Sequence, residues 1–130
     1  MKKLIFGSGK VASIIADEDS IIIPRSQCDI TDLSTVSLII RDEKPDIVIN
    51  CAAITNLEKC EEDKLHSYMV NTIGPINLLA SCKKDNIKFV HISSGCLFDG
   101  NEKTSDEEDT PDPKVWYTRN KMWADDFIIN

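Results

Sequence analysis

Short apolar runs alternate with stretches of helical periodicity along this chain. The runs at 3–6, 20–23, 46–53 and 87–94 predict β-strands. The stretches at 10–17, 33–43 and 64–85 predict helices, with Pro75 as a kink in the last, and the segment 115–126 predicts a final helix. Continuously apolar strands that alternate with helices form a parallel sheet covered on both faces. The sequence therefore predicts an α/β fold with a doubly wound, Rossmann-like parallel sheet in three layers.

Size and charge narrow the class of protein. The chain has 130 residues, 42% of them hydrophobic, which predicts one soluble domain. Its net charge of −7 argues against nucleic acid as a partner, because phosphate backbones bind to basic faces. No apolar run approaches the roughly 18 residues of a membrane span. Five cysteines, an odd number without a C-x-x-C pair, favour reduced thiols in a cytoplasmic protein.

Two acidic segments raise the question of a metal site. Residues 60–64 ("CEEDK") and 105–110 ("SDEEDT") carry the carboxylates, and 105–110 belongs to a predicted solvated loop at 100–113. No second set of ligands converges on either segment, and the two histidines, His66 and His91, are isolated in the sequence. We therefore interpret both segments as solvated surface and expect no metal.

The first strand is followed by "GSGKVA" (7–12), a G-x-G-x-x-A pattern that opens the first helix. In dinucleotide-binding folds, Gly7 would make the tight turn, and Gly9 would let a pyrophosphate approach the backbone. Ala12 would allow close packing of helix on strand. The phosphate would then meet unpaired N–H groups at the helix N-terminus. Any glycine-rich strand-to-helix turn can have a similar sequence. The motif alone therefore does not decide between a dinucleotide-binding turn and an ordinary turn.

The end of the second strand bears on the choice of cofactor. An acidic residue there would hold the ribose hydroxyls of NAD, but this chain has "IIIPRSQ" (21–27) and no carboxylate. Arg25 and Ser26 offer a cation and a hydroxyl for a 2′-phosphate instead. Arg25 as a plain solvated residue is the alternative. The sequence favours NADP(H) and leaves NAD(H) possible.

Tyr117 and Lys121 lie four residues apart on the final predicted helix. Side chains at this spacing are neighbours on one helix face. The pair is either ordinary helix surface or a proton donor beside the cation that tunes it.

Five motifs in order decide between these alternatives. They are "QCDITD" (27–32), "PDIVINCAAIT" (45–55), "YMVNTIGPINLLASC" (68–82), "VHISSGCLFDG" (90–100) and "YTRNK" (117–121). The set resembles the extended short-chain dehydrogenases/reductases, and most closely their dTDP-4-dehydrorhamnose reductase family. Two departures stand out. The glycine turn is one residue shorter than the usual pattern, and Gly95 and Cys96 stand where acidic and aromatic residues are common.

The resemblance implies a role for individual residues. Ser94 would polarise a substrate ketone, and Tyr117 and Lys121 would form the Y-x-x-x-K catalytic pair. Asp29 and Ile30 would line the adenine pocket, the segment 51–55 would pass along the cofactor, and Asn71 would support the site. With the glycine turn and the second strand, the expected cofactor-binding residues are Gly7, Ser8, Gly9, Lys10, Val11, Arg25, Ser26, Asp29, Ile30, Cys51, Ala52, Ala53, Thr55, Asn71, Tyr117 and Lys121.

The implied function is an NAD(P)-dependent reductase of a 4-keto nucleotide sugar, with Tyr117 as the proton donor. Members of this family are much longer than 130 residues. We therefore expect residues 1–130 to be a cofactor-binding domain that stops after the catalytic helix and lacks the sugar-nucleotide region. Such a chain would have little turnover alone and would need a partner chain or an oligomer. The alternative is a non-catalytic NADP-binding regulatory subunit.

Overall fold

The computed structural model describes residues 1–95 and 114–130. The strands are β1 (Lys3–Phe6), β2 (Ser20–Ile23), β3 (Ile47–Asn50) and β4 (Lys88–His91). The helices are α1 (Lys10–Ile15), α2 (Leu33–Glu43), α3 (Leu57–Glu62), α4 (Lys64–Tyr68), α5 (Gly74–Lys84) and α6 (Trp116–Ile129), with a π-helical turn at Met69–Ile73 between α4 and α5.

The four strands form one parallel sheet in the order β2-β1-β3-β4. Leu4 of β1 lies opposite Ile21 of β2 and Val48 of β3. Side chains of consecutive strand residues point to opposite faces, and both Leu4 and Ile5 are fully buried. The central strand is therefore covered on both faces, which confirms the predicted Rossmann-like α/β fold.

The main core lies between the sheet and helices α2 and α5. It joins strand residues to the buried stripes of the two helices and to the loop after β2; its members are Leu4, Phe6, Ile23, Cys28, Ile30, Val36, Ile40, Val48, Leu78 and Cys82. Because one cluster includes residues of β1, β2 and β3, this packing fixes the carboxyl ends of these strands relative to each other.

Helix α2 has the predicted bounds because its signals are local. The Asp32 carboxylate caps the helix by accepting from the N–H groups of Ser34 and Thr35. Val36 and Ile40, four residues apart, place the buried stripe on one face. Lys44 adopts the left-handed conformation that ends the helix.

The predicted long helix 64–85 is divided. The π-helical turn Met69–Ile73 interrupts the regular α-helix just before Pro75, where we expected a kink. Pro75 instead occupies the first turn of α5, where its missing N–H leaves no hydrogen bond unmade. The correction has a physical cause, since a π turn accommodates one extra residue without breaking the helix.

Other boundaries differ by a few residues. The strand predicted at 46–53 ends at Asn50, because the Asn50 side chain accepts from the Ala52 N–H and turns the chain away from the ladder. The predicted strand 87–94 is reduced to Lys88–His91, and the predicted helix 10–17 ends at Ile15. Helix α3 was not predicted. The predicted loop 100–113 lies outside the described residues.

Within the described part of the chain, none of the helices combines the length and the apolar character needed to cross a membrane.

Leu78 provides a test of this core. It is fully buried on α5, so Leu78→Ala should lower the free energy of unfolding by about 2–5 kcal/mol. Leu38→Ala on α2, where 47% of the side chain is exposed, is the matched control and should change it by about 0.5 kcal/mol or less. Urea denaturation of the two variants measures both values. Equal effects would contradict the assigned core.

Candidate functional site

A cleft of about 430 Å³ opens at the carboxyl ends of β1, β2 and β3. Twelve of the predicted cofactor-binding residues line it: Gly7, Ser8, Gly9, Lys10, Val11, Arg25, Asp29, Ile30, Cys51, Ala52, Ala53 and Thr55. Ala12, Cys28, Ile54 and Val70 complete the lining. In open parallel sheets, ligands bind outside the carboxyl ends of the strands, and this cleft has that position.

The two glycines after β1 differ in what surrounds them. Gly7 has a φ of +101°, and a Cβ placed on it would lie 2.8 Å from the Ala52 nitrogen. Its lack of a side chain lets the turn after β1 press against the loop after β3. A Cβ on Gly9 would meet no protein atom within 4 Å. The absence of a side chain at Gly9 therefore leaves open space on the cleft side, and packing within the protein does not require a glycine at this position.

Two buried asparagines hold the loop after β3. The Asn50 side-chain oxygen accepts from the Ala52 N–H at 3.0 Å. The Asn71 amide accepts from the Ile54 N–H at 2.8 Å and donates to the Ile54 carbonyl at 3.0 Å. Asn71 is fully buried behind the cleft and does not line it. It supports the loop, and its contact with a cofactor stays a prediction.

Ile30 is held at the cleft from behind by α5. Its carbonyl accepts from the Asn77 side-chain amide at 3.0 Å. A Cβ on Gly74 would overlap the Ile30 side chain, so the glycine makes room for it. Neither Gly74 nor Asn77 was predicted as a site residue, although both lie in one of the recognised motifs.

The charged residues at the cleft are Lys10, Arg25 and Asp29. The Asp29 carboxylate accepts from the Thr31 N–H and hydroxyl, and these bonds hold the pKa of Asp29 below its usual value. The Arg25 Nη2 lies 3.9 Å from Asp29 Oδ2, and 72% of the Arg25 side chain is exposed. Arg25 is therefore available to a ligand. Ser26 is exposed next to it but does not line the cleft.

Lys121 lies on α6 and is only 2% exposed. Its Nζ donates to the Ile92 carbonyl at 2.7 Å and lies 3.3 Å from His91 Nε2. Burial lowers the pKa of Lys121 to about 8. Lys121 is not among the residues that line the cleft, so its contact with a cofactor stays a prediction.

His91 is a residue that the sequence analysis missed. It ends β4 directly opposite Asn50 of β3, and its side chain is 3% exposed. Its Nδ1 lies 3.1 Å from the Asn50 Nδ2, and its Nε2 faces Lys121. Burial, followed by the charge of Lys121, lowers the pKa of His91 to about 3. The sequence analysis placed His91 inside a strand predicted over 87–94, and only the shorter observed strand, Lys88–His91, puts it at the carboxyl end of the sheet.

The other two predicted catalytic residues, Ser94 and Tyr117, are half-buried. Ser94 follows β4, and Tyr117 lies in the first turn of α6, one turn before Lys121. The Thr72 hydroxyl donates to the Asn120 carbonyl at 2.9 Å and fixes this part of α6. Gly95 is exposed, whereas Cys96 lies outside the described residues.

Comparison with known proteins identifies relatives of the chain. A family model described as "RmlD substrate binding domain" matches residues 5–130. The probable low-salt glycan biosynthesis reductase Agl14 of Haloferax volcanii is 36% identical over 117 residues, which cover 89% of this chain and 39% of the relative. The chain thus spans well under half the length of this curated relative.

Solved structures similar to this chain also include reductases about twice its length. A dTDP-4-dehydrorhamnose reductase of Clostridium acetobutylicum is 34% identical with a TM-score of 0.87, covering 99% of this chain and 49% of that one. The dTDP-4-dehydrorhamnose reductase of Bacillus anthracis in complex with NADP is 27% identical with a TM-score of 0.92, covering 99% of this chain and 50% of that one.

The two glycines of the turn after β1 should respond differently to substitution. Gly7→Ala should lower the free energy of unfolding by about 1–3 kcal/mol, because Ala strains at positive φ and meets the Ala52 main chain. Gly9→Ala is the matched control and should change it by about 0.5 kcal/mol or less, since its φ of −78° suits any residue. Urea denaturation measures both. A tolerated Gly7→Ala would refute the close approach.

Proposed function

The chain belongs to the family described as the RmlD substrate-binding domain, and we propose that it forms the cofactor-binding half of an NAD(P)-dependent reductase of 4-keto nucleotide sugars. The observation that carries the proposal is the cleft, where twelve residues expected to contact the cofactor converge. Similar proteins named as dTDP-4-dehydrorhamnose reductases, one of them in complex with NADP, support the choice of cofactor and substrate class.

The cofactor would lie across the carboxyl ends of the strands. The turn from Gly7 to Val11 would receive the pyrophosphate, where the open space at Gly9 admits it. Arg25 would pair with a 2′-phosphate, and Asp29 and Ile30 would bound the adenine. The loop from Cys51 to Thr55 would pass along the rest of the molecule. NADP(H) is the favoured cofactor, and NAD(H) is possible.

The proposed reaction gives three side chains different roles. When bound, the reduced nicotinamide supplies the hydride. Ser94 donates a hydrogen bond to the oxygen of the sugar C4 carbonyl, and Tyr117 transfers its proton to that oxygen as negative charge develops there. A shift of about 3 units in the tyrosine pKa needs roughly 4 kcal/mol of added phenolate stabilisation. The Lys121 ammonium, one helical turn away, would supply it.

The substrate region is a separate part of the proposal. We infer that the nucleotide sugar is bound largely by a region that has no counterpart in residues 1–130, since relatives of this chain are about twice as long or more. Catalysis uses binding energy from remote parts of a substrate to orient the reacting centre. Residues 1–130 alone should therefore show little turnover.

A second candidate is a non-catalytic NADP-binding regulatory subunit. The observation in its favour is Lys121, whose Nζ is bonded to the Ile92 carbonyl and does not line the cleft. In such a subunit the cofactor would bind without the lysine changing its contacts.

Cofactor preference tests the role of Arg25. Residues 1–130 should bind NADPH more tightly than NADH, and Arg25→Ala should weaken NADPH binding about tenfold to a hundredfold, since a charged hydrogen bond contributes about 1.5–3 kcal/mol. NADH binding should hardly change. Arg41→Ala, at an exposed arginine on α2, is the control. Nicotinamide fluorescence measures each affinity. A preference for NADH that survives Arg25→Ala would exclude the 2′-phosphate contact.

Substitution of Tyr117 separates the two candidate functions. With the substrate-binding half supplied as a second chain, Tyr117→Phe should lower the rate of NADPH oxidation by a 4-keto nucleotide sugar by at least about 10²–10⁴-fold. NADPH affinity should remain, because the ring still packs. Tyr68→Phe on α4 is the matched control and should keep full activity. Full activity in Tyr117→Phe would refute the catalytic role, and cofactor binding without turnover in any combination would favour the regulatory subunit.

A further inference from the structure

We propose that Asn50 and His91 are positioning residues that hold the Lys121 side chain as an uncharged amine in the cofactor-free chain. The proposal depends on the proposed function only for the catalytic role of Lys121. It rests on the polarity of a chain of hydrogen bonds that begins at a main-chain group and ends at Lys121 Nζ.

The first bond fixes the orientation of Asn50. The Ala52 N–H can only donate, and it points to the Asn50 oxygen at 3.0 Å. Reversing the Asn50 amide would place its NH₂ group against this N–H and leave two donors facing each other. The Asn50 Nδ2 is therefore the group directed at His91, and it is a donor.

The second bond fixes the tautomer of His91. The Asn50 Nδ2 lies 3.1 Å from His91 Nδ1, so Nδ1 must be the acceptor. A neutral imidazole with an acceptor at Nδ1 carries its hydrogen on Nε2. The doubly protonated ring does not fit, because Nδ1 would then face a donor, and burial also lowers the pKa of His91.

The third contact determines the charge of Lys121. His91 Nε2, now a donor, lies 3.3 Å from Lys121 Nζ. An ammonium has three N–H donors and no lone pair, so it would meet this N–H as donor against donor. An uncharged amine has one lone pair to accept from His91 and donates to the Ile92 carbonyl at 2.7 Å.

Tyr117 lies one turn before Lys121 on α6, and the other ionisable groups near Lys121 in the described part of the chain come from three elements. His91 lies on β4, Cys51 follows β3, and Asp125 lies one turn further along α6. Burial raises the pKa of the Cys51 thiol, so it is uncharged at neutral pH. Asp125 raises the pKa of Lys121 and opposes the proposal, but burial has the larger effect and lowers that pKa to about 8.

Asp125 also offers an alternative acceptor for His91. Its Oδ1 lies 3.8 Å from His91 Nε2, beyond hydrogen-bond range, and its other oxygen accepts from the Ser93 hydroxyl. Lys121 Nζ is the nearer atom. The pKa of Asp125 is itself raised by burial, which weakens its hold on a cation. The donor at His91 should therefore lower the pKa of Lys121 beyond the effect of burial.

The proposal implies that Lys121 must take up a proton before it can act in catalysis. For Lys121 to stabilise a Tyr117 phenolate, its amine must take one proton from solvent and give up the bond from His91 Nε2. The same bond thus keeps Lys121 inactive until a ligand draws it away from β4.

NMR spectroscopy of labelled residues 1–130 tests the inference without any cofactor. In His66→Gln, His91 is the sole histidine, and its ring nitrogens should show a hydrogen on Nε2, a bare Nδ1 and no titration between about pH 5 and 8. The Lys121 Cε signal, assigned by its loss in Lys121→Met, should titrate with a midpoint below about 7, as an amine that is uncharged at neutral pH requires, whereas exposed lysines titrate near about 10.4.

Two variants test whether Asn50 and His91 lower the pKa of Lys121 or only support the structure. Asn50→Asp replaces the donor with an acceptor, so His91 should move its hydrogen to Nδ1 and the Lys121 midpoint should rise by at least about one unit. His91→Phe keeps an aromatic ring and the burial but removes the donor, and the midpoint should also rise, without an added negative charge. Lys64→Met, at an exposed lysine, is the control and should leave the Lys121 midpoint unchanged.

Two results on the unsubstituted His91–Lys121 pair would overturn the proposal, even if the variants do not fold. One is a hydrogen on His91 Nδ1, and the other is a Lys121 midpoint at or above about 7, which leaves the side chain mainly an ammonium at neutral pH. Failure of the chain to bind NADPH would instead count against the proposed function and leave this result unaffected.

Discussion

Two buried amides fix the main chain between Cys51 and Ile54, and both parts of the site depend on that segment. Asn50 satisfies the Ala52 N–H, and Asn71 satisfies both polar groups of Ile54. A buried polar group without a partner costs about 1–3 kcal/mol, so the segment has little freedom to move. The segment forms a wall of the cleft, and Asn50, which directly precedes it, contacts His91. The same hydrogen bonds therefore shape a binding cavity and set the polarity of a buried proton network.

The π-helical turn at Met69–Ile73 links this segment to the catalytic helix. Three consecutive residues have different partners: Val70 lines the cleft, Asn71 binds Ile54, and Thr72 donates to the α6 main chain. All three are buried, which an amphipathic surface helix would not permit for consecutive positions. π turns are rare and occur often at functional sites. Here the turn lets one short stretch of chain support the cleft and α6 together.

The fold was largely predictable because its signals are local, whereas part of the site was not. Helix α2 (33–43) has its cap, its apolar spacing and its final turn encoded in its own sequence, and it forms with the predicted bounds. The π turn depends on partners distant in the chain, and no period in the sequence reveals it. His91 was set aside because no other histidine or ligand lies near it in sequence. Its importance comes from the strand register opposite Asn50 and from the direction of the Ala52 N–H, which are tertiary facts.

The overall charge and the charge at the cleft have opposite signs, and the local one decides what the cleft can hold. The chain carries −7, yet Lys10 and Arg25 line the cleft against a single carboxylate, Asp29, whose charge is already stabilised by Thr31. Charges at an exposed surface are screened beyond about 10 Å at ordinary ionic strength, so the acidic exterior has little effect on a group seated between these two cations. A long polyanion would meet mostly the exterior and be repelled, whereas a compact ligand with a few phosphates would meet only the cleft. The charge distribution therefore argues against nucleic acid as a ligand and is compatible with the proposed dinucleotide.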